Sequence, residues 1–229
     1  MKTIGMIGGL GWPSTVEYYR SINQQVNSRL GGDDFARCII YSVNWGDIRR
    51  LRQKQAIDQI FELYLQVSDK LIKSGADCIV ICANAPHQFA EELERRISVP
   101  LLHIVDATAK AITAQHLSKV GLLGRKMIME MDFYKDRLAK QGITTIMPAP
   151  DEREYIETKI LDELMKGLSL PETKQQFLTI IEGLHQSGAE GIVLGCTEIP
   201  LIIGQQDTPI PLFDTLELHT RAIVEFILS

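Results

Sequence analysis

The chain has 229 residues, 45% apolar and 23% charged, which is enough to bury a core as one large α/β unit or two small domains and excludes disordered, collagen-like and disulfide-stapled classes. Lysine and arginine number 24 against 29 aspartates and glutamates, a net charge of −5 with no basic block, so neither nucleic acid nor a membrane surface is an expected partner. No run approaches the ~18 apolar residues of a membrane span, and the glycine-broken start does not read as a signal peptide. Cys38, Cys78, Cys82 and Cys196 are therefore expected to stay reduced, in the cytoplasm. Taken in chain order, short apolar runs at 3–7, 37–43, 78–81, 101–105, 120–123, 144–147 and 191–194 predict strands. Between them, amphipathic stretches at 15–28, 47–74, 106–116, 129–141, 154–167, 172–187 and 216–228 predict helices. In 47–74, Ile57, Ile60, Phe61, Tyr64 and Leu65 recur at helical spacing, and Gly75 and Gly188 each read as the stop of a long helix. Strands alternating with helices in this way predict βα units and parallel sheet.

An internal repeat organises these elements. Ser74-Gly75-Ala76-Asp77-Cys78-Ile79-Val80-Ile81 aligns without gaps on Ser187-Gly188-Ala189-Glu190-Gly191-Ile192-Val193-Leu194, an offset of 113 positions. Residues 2–8 resemble 118–124 at an offset of 116, and 100–106 resemble 209–214 with a short gap. Three anchors in one order predict two pseudo-symmetric α/β domains, each a short, mostly parallel sheet flanked by helices, with the active site in the cleft between them. The boundaries expected from the anchors are 1–98 plus 212–229 for the first domain and 99–211 for the second.

Both halves continue alike after the repeated strand. The second runs into Gly195-Cys196-Thr197-Glu198-Ile199-Pro200 and the first into Cys82-Ala83-Asn84-Ala85-Pro86-His87, with Thr197 and Asn84 as expected helix caps and a proline in each first turn. A helix N-terminus at a strand's carboxyl end favours a bound carboxylate or phosphate. Cys196 at such a mouth is expected to ionise below the free value of about 8.5 and to serve as base or nucleophile. Cys38, Cys78 and Cys82 read as core, and Cys78, Cys82 and His87 lack the second ligand pair of a metal site, so no metal is expected. The glycine-rich start Gly5-Met6-Ile7-Gly8-Gly9-Leu10-Gly11 matches no nucleotide fingerprint and reads as a turn allowing close backbone approach at the cleft. Arg49, Arg50 and Arg52 with Gln53 either grip a substrate carboxylate or form an exposed face, and Lys166 is either a ligand or a favourable cation at a helix end. Of the histidines, His87 alone is expected beside the cleft, while His103, His116, His185 and His219 read as surface or core.

Several segments together resemble the aspartate/glutamate racemase family, the cofactor-independent racemases. They are Gly8-Gly9-Leu10-Gly11-Trp12-Pro13-Ser14-Thr15 with Tyr18, Tyr19, Ile22 and Asn23, then Asn84 to His87, Gly121-Leu122-Leu123-Gly124, Met129-Glu130 with Asp132-Phe133-Tyr134, and Leu194-Gly195-Cys196-Thr197-Glu198-Ile199. The resemblance implies a homodimer without pyridoxal phosphate or other cofactor, holding an acidic or small amino acid or dicarboxylate between two cysteines. One thiolate removes the α-proton while the opposite thiol reprotonates the carbanion, because inverting a stereocentre needs an acid and a base on opposite faces. It further implies catalytic roles for position 196 and position 83, substrate contacts at Gly9, Leu10, Gln53, Asn84, Ala85, Lys166 and Thr197, and additional candidates in Arg49, His87 and Arg125.

The chain departs from that pattern where it matters most. The family's first motif reads C-N-T-x-H, yet Ala83 stands in the cysteine position and Ala85 in the threonine position. The repeat also pairs position 83 with Cys196. Cys82 is one residue early and on a continuing strand points to the other face. Arg125 replaces the threonine expected after Gly124. Three readings follow: a racemase with Cys196 on one face and a weaker group or water on the other, a single-thiol relative that decarboxylates or isomerises another carboxylate, and a non-catalytic amino-acid or dicarboxylate binding protein.

Overall fold

Parallel strands cannot be joined by tight turns, so helices separate the successive strands of this chain, except before the last strand, which follows two short 3-10 turns. The computed structural model describes residues 1–229 and divides them into two units, Met1–His103 with His219–Ser229, and Ile104–Leu218. The first unit contains β1 (Ile4–Gly8), α1 (Trp12–Leu30), β2 (Cys38–Ser42), α2 (Trp45–Gln53), α3 (Ile57–Lys73), β3 (Cys78–Ile81), α4 (Ala90–Arg96) and β4 (Leu101–Leu102). The second contains α5 (Ile104–Ala114), β5 (Lys119–Leu123), α6 (Lys126–Glu130), α7 (Asp132–Ala139), β6 (Thr144–Ile146), α8 (Pro150–Asp162), α9 (Pro171–Gln186), β7 (Gly191–Leu194) and β8 (Leu212–Asp214). The last helix, α10 (Thr215–Leu228), starts in the second unit and returns the chain to the first.

Each unit is a four-stranded parallel sheet flanked by helices, ordered β2-β1-β3-β4 in the first and β6-β5-β7-β8 in the second. The two orders are the same topology, so the repeat is a repeat of fold. Register agrees as well, with Ile4 beside Cys78 in one sheet and Val120 beside Gly191 in the other. Even the entry to the central strands is fastened alike. Asp77 Oδ2 accepts the Thr3 N–H at 2.6 Å, and its repeat partner Glu190 accepts the Ser118 and Lys119 N–H groups at 2.7 and 2.8 Å. The fully buried central strands explain the near-continuous apolar runs at 78–81 and 191–194. They pack against Ile60, Tyr64 and Leu93 in one core and Ile160, Phe177 and Ile181 in the other.

Several boundaries differ from the sequence pattern for local reasons. The stretch 47–74 is two helices, because Gln55 adopts φ 56° and turns the chain between α2 and α3. Met131, with extended φ and ψ, likewise divides 129–141 into α6 and α7. The run 101–105 supplies only the two residues of β4 before Ile104 opens α5, and β8, outside the predicted strands, is three residues long. No helix is long and apolar enough to cross a membrane.

Candidate active site

In the second unit the central strands β5 and β7 end side by side. Gly195 N–H donates to Leu123 O at 2.6 Å, and a Cβ on Gly124 would lie 3.1 Å from Gly195 O, so any larger residue would push this backbone approach apart by a few tenths of an ångström. The chain leaves β7 through Gly195 and presents Cys196, which is only 7% exposed. Its Sγ donates to Glu198 Oε2 at 2.8 Å, and Thr197 Oγ1 donates to the same oxygen at 2.8 Å. Burial pushes the Cys196 thiol well above its ordinary value, and the charge and hydrogen bond of Glu198 push it further, while the Glu198 backbone N–H and the Arg125 charge pull the other way. These surroundings favour the thiol over the thiolate. This corrects the expectation of a thiolate favoured by a helix N-terminus: only a three-residue 3-10 turn, Ile199–Leu201, follows Cys196, and the Thr197 hydroxyl serves Glu198 instead of capping a helix.

Arg125, just past β5, is held as a fork. Its Nε and Nη2 donate to Glu157 Oε2 and Oε1 at 2.7 and 2.6 Å, and the Lys126 N–H donates to Oε2 at 2.7 Å. Burial acts to raise the Glu157 carboxyl, but Arg125 and Lys126 outweigh it and hold it below the usual range. The fork is thereby fixed in place as a cation that acts on both Cys196 and Glu198.

The first unit repeats this exit with different side chains. Ala83 lies two residues beyond β3, as Cys196 lies two beyond β7. The same offset that pairs Ala83 with Cys196 pairs Ala85 with Glu198. Two methyl groups therefore stand where the second unit has a thiol and a carboxylate. Asn84 is buried and makes no side-chain cap bond to the 3-10 turn Ala85–Phe89, which correction again removes the expected helix N-terminus. Cys82 offers no thiol at this exit, since it is wholly buried and raised by burial and by Cys38. Burial likewise pushes Cys78 up to about 12, with Asp77 adding to it.

The Asp/Glu/Hydantoin racemase family profile matches residues 7–223. The chain belongs to this family. Among its relatives, a broad specificity amino-acid racemase of Bacillus subtilis is 24% identical over 99% of this chain and 98% of that protein. The crystal structure of a provisional Asp/Glu racemase from Yersinia pestis is 40% identical, covers 100% of both chains and superposes with a TM-score of 0.96. That of an aspartate racemase homologue from Pyrococcus horikoshii is 32% identical, also over 100% of both chains, with a TM-score of 0.91.

The substrate contacts that resemblance to the family implies fall in varied settings. Gly9 has φ +77°, gives its N–H to Thr15 Oγ1 at 2.9 Å, and would place a Cβ 2.1 Å from Val43 O. The close approach read at this turn is thus to the chain's own backbone. Leu10 is buried with Val43 in the first unit's core. Gln53 ends α2 and is exposed, as is Arg49, while the neighbouring Arg50 bonds to Asp47. Lys166 is exposed and pairs with Asp162 at 3.3 Å. His87 is buried, its ring 4.5 Å from that of His103 and 5.6 Å from that of His219. His219 in turn bridges Tyr18 OH and Leu102 O, both at 2.8 Å; a carbonyl only accepts, so its Nε2 carries hydrogen. Sequence reading passed over Glu198 altogether. Its one signal was position, two residues beyond a candidate cysteine and so within reach of it.

Proposed function

We propose that the protein is a cofactor-independent racemase of aspartate- and glutamate-type amino acids in which the Cys196 thiol exchanges the α-proton. One observation carries this reading: a buried thiol at the carboxyl end of a central strand, bonded to a carboxylate 2.8 Å away, in a chain of the Asp/Glu/Hydantoin racemase family. A protonated thiol is the correct state for delivering a proton to a planar carbanion, and its conjugate thiolate for removing one. Arg125 favours that thiolate and is available to the negative charge of an acidic substrate. The family resemblance assigns position 83 to the second face, and since Ala83 offers no acid or base, on this reading protonation there depends on solvent and inversion lags behind exchange. The same reading has the enzyme work as a cytoplasmic homodimer, with its four cysteines unpaired.

The test is incubation with L-aspartate or L-glutamate in deuterated water. α-Deuterium incorporation with slower appearance of the D-enantiomer, both lost in Cys196→Ala, is the expected result. Wild-type protein that binds these amino acids without exchange overturns the reading. The paired methyls of Ala83 and Ala85 favour one alternative, a one-sided proton donor that acts after decarboxylation of a malonate-like acid; exchange without any inversion would point there.

A further inference from the structure

We propose that Glu198 is the proton acceptor of the Cys196 thiol, so that the thiolate forms by transfer within a Cys196–Glu198 pair and not by loss of the proton to solvent. The use of that thiolate on an amino acid rests on the racemase reading; the transfer itself does not. Three contacts converge to support it. Sγ–H is directed at Glu198 Oε2 at 2.8 Å, the Thr197 hydroxyl fixes the same oxygen at 2.8 Å, and the Glu198 backbone N–H faces the sulfur. In the transfer the S–H bond breaks, its electron pair stays on sulfur, and an O–H bond forms on Oε2. Thiol plus carboxylate becomes thiolate plus carboxylic acid, with the pair's charge of one negative unit unchanged.

That conservation of charge is the physical advantage. Cys196 is buried, and a net new charge there is penalised by desolvation, whereas moving one charge by a single hydrogen bond is penalised far less. After transfer the sulfur keeps the N–H donor and the field of Arg125, and the carboxylic acid keeps the Thr197 bond and gives its new hydrogen to the sulfur. The repeat is consistent with treating the two residues as one device: at the positions paired with Cys196 and Glu198 the first unit has neither member, only Ala83 and Ala85. Glu198 acts through the sulfur and is in this sense a positioning residue.

The opposite role makes an opposite prediction. If the carboxylate only repels the thiolate, Glu198→Gln releases the thiol and accelerates its reactions. If it accepts the proton, the same variant removes the acceptor. The experiment reads the rate of Cys196 alkylation by iodoacetamide against pH, peptide by peptide in a mass spectrometer, on folded protein without substrate. A pair sharing one proton does not gain thiolate with pH as a lone thiol does, so the wild-type rate should be nearly flat around neutrality. Glu198→Gln should instead rise about tenfold per pH unit, as a lone thiol does. With L-aspartate in deuterated water, Glu198→Gln should also lose on the order of 10²-fold or more of the α-exchange rate. A wild-type rate that climbs tenfold per pH unit, absence of Cys196 labelling at every pH, or faster exchange in Glu198→Gln overturns the proposal. If Glu198→Gln does not fold, the wild-type profile decides alone. A flat profile without exchange on aspartate or glutamate keeps the pair and discards the substrate.

Discussion

Placing acid–base groups in the first unit should convert slow inversion into fast inversion, and the register of the repeat says which two positions would carry them. Ala83→Cys adds one sulfur to a half-buried alanine, a small increase for which about 1 kcal/mol of lost stability is expected, the low end of overpacking costs. A positioned acid–base group is worth about 10²–10⁴-fold. The single variant falls short of that. A thiol with an ordinary pKa of about 8.5 is only about one tenth ionised at pH 7.5, and partial burial lowers the fraction further. With Ala85 still a methyl there is no acceptor, so Ala83→Cys should gain about 10–10³-fold in inversion. Ala83→Cys/Ala85→Glu, which copies the Cys196 and Glu198 arrangement, should recover about another tenfold. The assay is chiral chromatography of aspartate and glutamate started from each enantiomer, with thermal unfolding and ligand calorimetry as controls. If both variants fold, bind the amino acid and invert no faster than wild type, position 83 does not face the α-carbon, and the racemase assignment fails with it.

Gly9→Ala should cost more than about 2 kcal/mol in urea unfolding, because φ is +77° and the new methyl would meet Val43 O at 2.1 Å. Arg125→Gln strips Glu157 of its fork and should lower unfolding free energy by about 1–2 kcal/mol, and it should also slow Cys196 alkylation, since Arg125 favours the thiolate. Glu190→Gln should lower the melting temperature at neutral pH in a pH-dependent way. The Ser118 and Lys119 N–H groups hold the Glu190 carboxyl below its usual range, so its contribution is complete above the unfolded value of about 4.3 and is lost as pH falls through the lower folded value. The wild-type and variant melting curves should therefore converge in acid; a gap that stays constant down to pH 2 would remove this explanation.

Much of the architecture could be read directly from residue order. Parallel βα units follow from short apolar runs separated by amphipathic ones, and the doubled fold follows from Ser74 to Ile81 matching Ser187 to Leu194, because a strand entered from the same turn and buried on both faces demands the same residues. The same register located Cys196 and its counterpart Ala83 without any coordinates. What order could not supply is whatever depends on direction and burial. The break at Gln55 and the brevity of β4 and β8 are decided by which neighbours offer hydrogen bonds, not by the propensity of the residues themselves. His87, His103 and His219 come together from distant parts of the chain, so no spacing announces them. The character of the thiol is the sharpest case. From sequence, Cys196 before a presumed helix should ionise easily; in the structure it is enclosed, no α-helix begins there, and the chain's turn after β7 brings the Glu198 carboxylate onto the sulfur. Proton affinity is set by desolvation and by charges a few ångströms away, and both are properties of the folded surroundings that a list of neighbours along the chain does not contain.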